Sequence, residues 1–298
     1  MKWLITGAFR IEPYQADYFA ENGHEIFIMQ NEKDELPIDS QEVDAVICNA
    51  LFLYHSIEKF PKLRYIQLTS AGYDRVPMEY IRKKGIAIHN ARGVYSIPMA
   101  EFAIASVLAL YKKERIFFEN KAARRWEKQR GLRELYGKTV CIVGCGSIGG
   151  ECATRFSAFG CRVIGFDASP LKDDRYEYIY GIGSLSDILP EVDILVLTLP
   201  LTDSTYHMIS RPELTLLSDG STVVNLSRGA VVDTPALCDE LESGRLNAAL
   251  DVFEEEPLTS DSVLWGLPNV ILTPHNSFVG EGNACRLWAV IEKNLKTL

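Results

Sequence analysis

Three residues have side chains that could together hold a carboxylate and move a proton: Arg228, Glu256 and His275. An arginine fork matches a carboxylate bidentately. Histidine ordinarily titrates near a pH of about 6.5, so it can give or take a proton close to neutrality. A carboxylate on its far nitrogen fixes the tautomer and supports the imidazolium form, and Glu256 has the chemistry for that. Oxidising an alcohol to a ketone needs a base for the hydroxyl proton as hydride leaves the carbon, and reduction needs the same group as an acid. Taken singly, Arg228 reads equally well as a surface salt-bridge partner, Glu256 as one of three loop glutamates and His275 as a turn histidine. Position raises the set above chance: each follows a strand-like run, near 221–226, 246–251 and 269–273, and open α/β sheets bind ligands beyond the carboxyl ends of their strands.

A hydride carrier is implied upstream. Gly144, Gly146 and Gly149 form a GxGxxG loop with Ser147 and Ile148 inside it. It follows a strand-like run, Lys138 to Val143, and opens a helical pattern, Ser147 to Phe159, the context that makes the motif informative. Gly144 permits the tight turn, Gly146 lets the backbone approach a pyrophosphate, and Gly149 lets helix and strand pack closely. Amides at the helix N-terminus then face the phosphates. After a second strand, Cys161 to Phe166, Asp167 stands 18 residues beyond Gly149. A carboxylate there accepts both adenosine ribose hydroxyls and repels a 2′-phosphate, which favours NAD over NADP. Lys172 and Arg175 lie nearby and leave NADP use open. Cys145, the variable residue of the loop, and Cys141 read best as small filler residues.

The elements that must position these residues come in two series. Trp3 to Thr6, Glu25 to Met29, Asp44 to Cys48, Tyr65 to Thr69 and Ile86 to His89 read as strands alternating with helices, a parallel α/β sheet. A second series lies near 138–143, 161–166, 193–198, 221–226, 246–251 and 269–273. Two sheets imply two domains, consistent with 298 residues and the size at which single cores stop growing. Between them runs a long apolar helix, Pro98 to Tyr111, and then a basic stretch from Lys112 to Lys138 with ten Lys or Arg against four Glu. Those glutamates, and aromatics that are not regularly interleaved, favour a solvated helix face or a subunit contact over nucleic acid.

Composition agrees: 47% hydrophobic and 24% charged residues are globular values, and a formal charge of -9 argues against general nucleic-acid binding. The apolar run at the start stops at Gly7, too short for a signal peptide, and no stretch approaches a membrane span. Seven cysteines without CxxC spacing suggest reduced thiols in a cytoplasmic protein, with no metal site.

These motifs jointly resemble the D-isomer-specific 2-hydroxyacid dehydrogenase family over nearly the whole chain. The stretch from Thr69 to Asp74 resembles its substrate-carboxylate loop, Asn90 to Val94 with Pro98 to Glu101 its entry into the interdomain helix, and Gly137 to Gly149 its cofactor fingerprint. Leu197 to Thr205 resembles the loop passing the nicotinamide half, Asn225 to Asp233 the arginine motif, and Asp251 to Pro257 with Thr273 to His275 completes the set. The resemblance implies Arg228, Glu256 and His275 as catalytic residues. It implies Leu199, Pro200, Thr205, Ser227 and Asp251 as cofactor contacts beside the glycine loop, with Asp251 by the nicotinamide, and Ala71, Gly72 and Tyr73 as substrate contacts. It further implies a flavodoxin-like substrate domain, residues 1–97 and 274–298, a Rossmann domain inserted as 98–273, and a homodimer through the latter.

Two departures stand out. Many members carry a glycine- and serine-containing turn after the histidine, whereas here Asn276, Ser277, Phe278, Val279 and Gly280 follow, which puts a bulky Phe278 near the expected substrate position. The C-terminal regulatory extension of some phosphoglycerate dehydrogenases is not found in this sequence, so feedback control by an amino acid is not expected. The leading expectation is NAD-dependent interconversion of small 2-oxo acids and D-2-hydroxy acids. Glyoxylate, hydroxypyruvate, pyruvate and branched 2-oxo acids are candidates; phosphoglycerate ranks lower, because only Arg75 and Arg92 are at hand to hold a phosphate. The alternative is a non-catalytic NADH-responsive binding protein, since C-terminal-binding-protein corepressors resemble the same family. A reductase of non-carboxylate ketones would leave Arg228 without its natural partner.

Overall fold

A computed structural model describes residues 1–297 of the chain, and these divide into two units. The first comprises Met1–Val94 and the segment from Gly280 onward, the second Tyr95–Val279. His275 and Phe278 therefore lie in the same unit as the glycine loop, whereas the expected boundary at 273/274 puts them in the other domain.

The first unit is built on strands β1 (Lys2–Thr6), β2 (Glu25–Met29), β3 (Ala45–Cys48), β4 (Tyr65–Leu68) and β5 (Ala87–His89), all parallel, in the order β2-β1-β3-β4-β5. This is the flavodoxin-like winding. Strands β3 and β4 are buried along their whole length, the signature of a parallel sheet covered on both faces. Helices α1 (Pro13–Glu21) and α2 (Met78–Lys84) come from the first hundred residues. Helix α1 starts at a capping box, in which Glu12 and Gln15 satisfy each other's backbone amides and Pro13 occupies the first turn.

The second unit carries helices α3 (Ser96–Tyr111), α4 (Glu114–Ala122), α5 (Ser147–Ala158), α6 (Leu185–Ile188), α7 (Arg211–Leu216) and α8 (Thr234–Glu242). Its strands are β6 (Thr139–Val143), β7 (Arg162–Asp167), β8 (Tyr178–Gly181), β9 (Ile194–Leu197), β10 (Thr222–Asn225), β11 (Asn247–Leu250) and β12 (Val270–Leu272). They form one parallel sheet, β12-β11-β10-β9-β6-β7-β8, so the winding reverses between β6 and β9, the place where doubly wound sheets bind ligands. On one face Ala100, Ala103 and Val107 of α3 and Cys152, Ala153 and Phe156 of α5 cover Val140, Ile142, Val196 and Val224. On the other, Leu185, Leu214, Leu237 and Leu241 from α6, α7 and α8 cover Leu195, Leu197, Val223 and Ala248. Strand β8 was not anticipated: it is an edge strand, partly exposed throughout, and lacks the apolar run that marks its neighbours.

The last helix, α9 (Asn283–Leu295), returns to the first unit. Its buried residues Leu287, Trp288, Ile291 and Leu295 recur at helical spacing. Trp288 meets Phe9, Tyr18 and Phe19, and Asn294 donates to the buried Gln67 at 2.9 Å. Among the described residues no helix is long and apolar enough to cross a membrane.

Candidate active site

The glycine loop joins β6 to α5, and its glycines are required for different reasons. Gly144 has φ +99, and a Cβ there would lie 2.7 Å from the Leu199 backbone nitrogen. A Cβ on Gly149 would lie 2.2 Å from the Gly144 carbonyl oxygen, whereas one on Gly146 would meet nothing within 4 Å. Gly144 and Gly149 thus close the loop onto its own scaffold, and Gly146, itself the N-cap of α5, brings no side chain and leaves room beside that N-terminus. The amides of a helix N-terminus with space before them suit a pyrophosphate. Ser147 and Ile148 form the first turn, where Ile148 packs partly against the core.

Asp167 ends β7 and accepts from the Cys145 amide and the Ser169 amide, both at 2.9 Å. A carboxylate offers about four lone-pair sites, so acceptor capacity remains for ribose hydroxyls. The two nearby cations are each matched by an aspartate: Arg175 pairs with Asp173 and Lys172 with Asp174. Burial pushes the Cys145 thiol up to about 11, which keeps it protonated and fits a filler role. All seven cysteines are free, and no cluster of His, Cys, Asp or Glu suited to a metal occurs among the described residues.

Across the switch point, Leu199 is buried against Gly144. Thr198 donates to the Gly144 carbonyl at 2.7 Å, and Thr205 Oγ1 donates to the Pro200 carbonyl at 2.7 Å. The 198–205 loop is thereby tied to the glycine loop at one end and folded on itself at the other.

Arg228, Glu256 and His275 lie just beyond the carboxyl ends of β10, β11 and β12, three consecutive neighbours in the sheet. Asn225, buried, organises the arginine turn: its Oδ1 accepts from Ser227 N and Oγ, and its Nδ2 donates to the Arg228 carbonyl at 3.1 Å. Sequence reasoning assigned no role to this residue, though an Asn two positions before a Ser is the signal of a local side-chain turn. The Arg228 guanidinium donates to the Ser227 carbonyl at 2.8 Å. Gly229 leaves no room for a side chain, since a Cβ would lie 1.8 Å from the Phe253 carbonyl carbon.

The His275 Nδ1 to Glu256 Oε2 distance is 2.9 Å, and the other Glu256 oxygen accepts from Phe253 N at 3.1 Å. His275 is in the left-handed region, φ +51, a conformation that costs free energy in a side-chain-bearing residue. Asp251 holds it there. Its carbonyl accepts from His275 N at 2.8 Å, and its carboxylate, only 1% exposed, accepts from Thr273 Oγ1 at 2.6 Å, Asn276 N at 2.7 Å and Ser277 N at 3.0 Å. Phe278 lies edge-on to His275 at 6.1 Å between ring centroids and to Tyr95 at 5.8 Å, and is 39% exposed.

A second histidine-carboxylate pair lies in the same unit. Glu254 Oε2 is 2.9 Å from His207 Nε2, and its Oε1 accepts from Thr234 N at 2.9 Å. Burial alone would push the Glu254 carboxyl up, but the hydrogen bonds from Thr234 and His207 outweigh it and hold the group below the usual carboxylate range.

Ala71, Gly72 and Tyr73 belong to the first unit, in the loop after β4. Asn90 Nδ2 donates to the Ala71 carbonyl at 2.6 Å and Ser70 Oγ to the Gly72 carbonyl at 3.2 Å, while Tyr73 is 40% exposed.

Two family models match this chain. The D-isomer specific 2-hydroxyacid dehydrogenase NAD binding domain matches residues 104–277, and the catalytic domain of the same family matches residues 4–167. The chain belongs to the D-isomer specific 2-hydroxyacid dehydrogenases. It is thus an oxidoreductase with a nicotinamide-dinucleotide-binding unit, as the motifs led one to expect. This dehydrogenase is 35% identical over 244 residues to a glyoxylate reductase of Korarchaeum cryptofilum, covering 80% of this chain and 74% of the relative. With a hydroxypyruvate reductase of Thermotoga maritima the identity is 36% over 252 residues, covering 82% and 81%. A crystal structure of D-lactate dehydrogenase from Aquifex aeolicus, complexed with NAD and lactic acid, superposes with a TM-score of 0.78 at 25% identity, covering 99% of this chain and 94% of that one.

Proposed function

We propose that this dehydrogenase reduces small 2-oxo acids to D-2-hydroxy acids, and runs the reverse oxidation, with NAD(H) rather than NADP(H). The observation that carries the reading is the His275 to Glu256 contact at 2.9 Å on a turn held by a buried carboxylate. With Nδ1 committed to Glu256, Nε2 is the ring nitrogen left for substrate. In reduction His275 gives its proton to the oxygen of the 2-oxo group, and Glu256 stabilises the imidazolium before transfer; in oxidation the same nitrogen takes the hydroxyl proton. Arg228 anchors the substrate carboxylate, the partner to which a guanidinium fork is suited. Ala71, Gly72 and Tyr73 enter the proposal as further substrate contacts, by resemblance to the family's carboxylate loop.

The bound dinucleotide supplies or accepts the hydride. Gly144, Gly146, Ser147, Ile148 and Gly149 would hold its pyrophosphate, Asp167 its ribose, and Leu199, Pro200, Thr205, Ser227 and Asp251 would flank the nicotinamide half. The close pairing of Arg175 with Asp173 supports NAD, because that guanidinium is already matched to a carboxylate; Lys172 pairs with Asp174 only at the surface. Relatives named glyoxylate and hydroxypyruvate reductase support our ranking of those two acids ahead of pyruvate and branched 2-oxo acids. The proposal includes a homodimer through the second unit, by resemblance to the family; Phe118, Trp126 and Tyr136 of that unit are 66%, 97% and 80% exposed.

One panel tests the reading: glyoxylate, hydroxypyruvate, pyruvate and a branched 2-oxo acid, each with NADH and NADPH, with the product's configuration determined. Turnover with NADH to the D-hydroxy acid is expected. No turnover of any 2-oxo acid, alongside measurable NADH binding, would return the chain to the non-catalytic alternative.

A further inference from the structure

Glu254, Glu255 and Glu256 are consecutive, yet the first and last serve different histidines. Glu256 reaches His275. Glu254 reaches His207 and the first amide of α8. Around Glu254 three segments converge. His207 donates its backbone amide to the Ala230 carbonyl at 2.8 Å, Ile209 N donates to Val231 O at 3.1 Å, and Asp233 N donates back to Ile209 O at 3.0 Å. Gly229 sits against the Phe253 and Glu254 backbone with no space for a Cβ.

The two partners of the His275 to Glu256 contact are anchored unequally. His275 rides on a turn gripped by the buried Asp251. Glu256 rides on an irregular loop, and its own second hydrogen bond, to Phe253 N, is local and gives the loop no external reference. Glu254 supplies that reference two residues away, through the His207 ring and the Thr234 backbone amide and through the close seat on Gly229. From this we infer that His207 and Glu254 are positioning residues: a second histidine-carboxylate pair that sets the backbone of 253–256 and so places Glu256 against His275. The inference rests on the proposed role of His275 and Glu256, and carries it one pair further from the substrate.

The test reads the His275 ring directly, so it does not depend on turnover. Full-length protein labelled with 15N-histidine is observed by side-chain NMR, with the His275 resonances assigned by their loss in His275→Asn. In Glu254→Gln and in His207→Ala, the His275 nitrogen shifts should move in the direction produced by Glu256→Gln. His207→Gln keeps a donor near the place of Nε2 and should restore the wild-type shifts. Adding Glu254→Gln to Glu256→Gln should move His275 no further, because the path runs through Glu256. In the activity arm, with glyoxylate and NADH, kcat should fall about 10-fold in His207→Ala, a fraction of the roughly 100-fold loss that a 1 Å misplacement can cause. The Kd for NADH should stay within about twofold, smaller than one good hydrogen bond would change it. Unmoved His275 resonances in folded Glu254→Gln and His207→Ala would overturn the inference, as would full additivity with Glu256→Gln. A wild-type chain that reduces no 2-oxo acid would instead remove the proposed function, and the NMR arm would still decide this point.

Discussion

Replacing Asp251 by asparagine separates two roles that one residue could hold. The carboxylate is 1% exposed and accepts from Thr273 Oγ1, Asn276 N and Ser277 N. An amide has one acceptor oxygen where the carboxylate had two. If that oxygen keeps Thr273 and Asn276, the NH2 group faces the Ser277 amide, donor against donor; flipped, the oxygen keeps Ser277 and the NH2 group donates to the Thr273 hydroxyl but faces the Asn276 amide, again donor against donor. Hydrogen bonds to a charged group are worth about 1.5–3 kcal/mol, and an orphaned buried donor costs a further 1–3. Relaxation of the turn recovers part of this, and a net loss of about 2–3 kcal/mol follows for the less costly orientation. At about 2–4 °C per kcal/mol for a unit of this size, Asp251→Asn should melt about 4–12 °C below the wild type. The same turn holds His275 at φ +51, so loosening it should lower kcat by about 10- to 100-fold. Differential scanning calorimetry and steady-state kinetics with glyoxylate and NADH measure both. A variant with wild-type melting and wild-type kcat, altered only in NADH affinity, would refute the reasoning and leave Asp251 as a cofactor contact alone.

Four further outcomes are expected. His275→Asn should lose about 10² to 10⁴ in kcat, the usual share of proton transfer, while fluorescence titration still detects NADH binding; equal loss of NADH affinity would count against its role. Asp167→Asn keeps an acceptor for the Cys145 amide and removes the charge, so the ratio of kcat/KM for NADH over NADPH should shrink, and a wild type that already prefers NADPH would overturn the cofactor assignment. Phe278→Ala should shift preference toward bulkier 2-oxo acids by about 1–3 kcal/mol per methylene accommodated; an unchanged ranking across the panel would leave Phe278 a packing residue beside Tyr95. Because Glu254 is held below the usual carboxylate range, its stabilisation is fully present above an unfolded value of about 4.3 and is lost as pH falls through the folded value. The melting gap between wild type and Glu254→Gln should therefore be widest near neutrality and close in acid; a gap independent of pH would show that the carboxylate's charge is not what stabilises the loop.

Strands buried on both faces, such as β3 and β9, were legible because they read as continuous apolar runs between turn residues. Strand β8 was not, since an edge strand with Tyr178 and Tyr180 half in water makes no such run. The glycine loop and the three residues after β10, β11 and β12 were legible from local order alone, each motif standing directly behind its strand. What stayed hidden depends on backbone geometry that brings distant residues together. The turn of Asp251 toward 273–277 needs the left-handed residue at 275, and the pairing of His207 with Glu254 needs another at 207, φ +47. Neither conformation follows from residue type, because histidine visits that region only occasionally.

The left-handed backbone at 275 also acts as a filter on sequence drift. Most L-residues resist that conformation by about 1–2 kcal/mol, β-branched ones most strongly, whereas glycine and, among side-chain-bearing residues, asparagine, aspartate and histidine tolerate it best. Histidine is the only one of these four with a neutral-pH proton to give, so the turn admits few residues and the chemistry selects one of them. A descendant of this chain that abandoned proton transfer would be released from the second constraint but not from the first. Its position 275 should settle on asparagine, aspartate or glycine long before valine or isoleucine, and a lost activity would leave its trace in a narrow set of replacements.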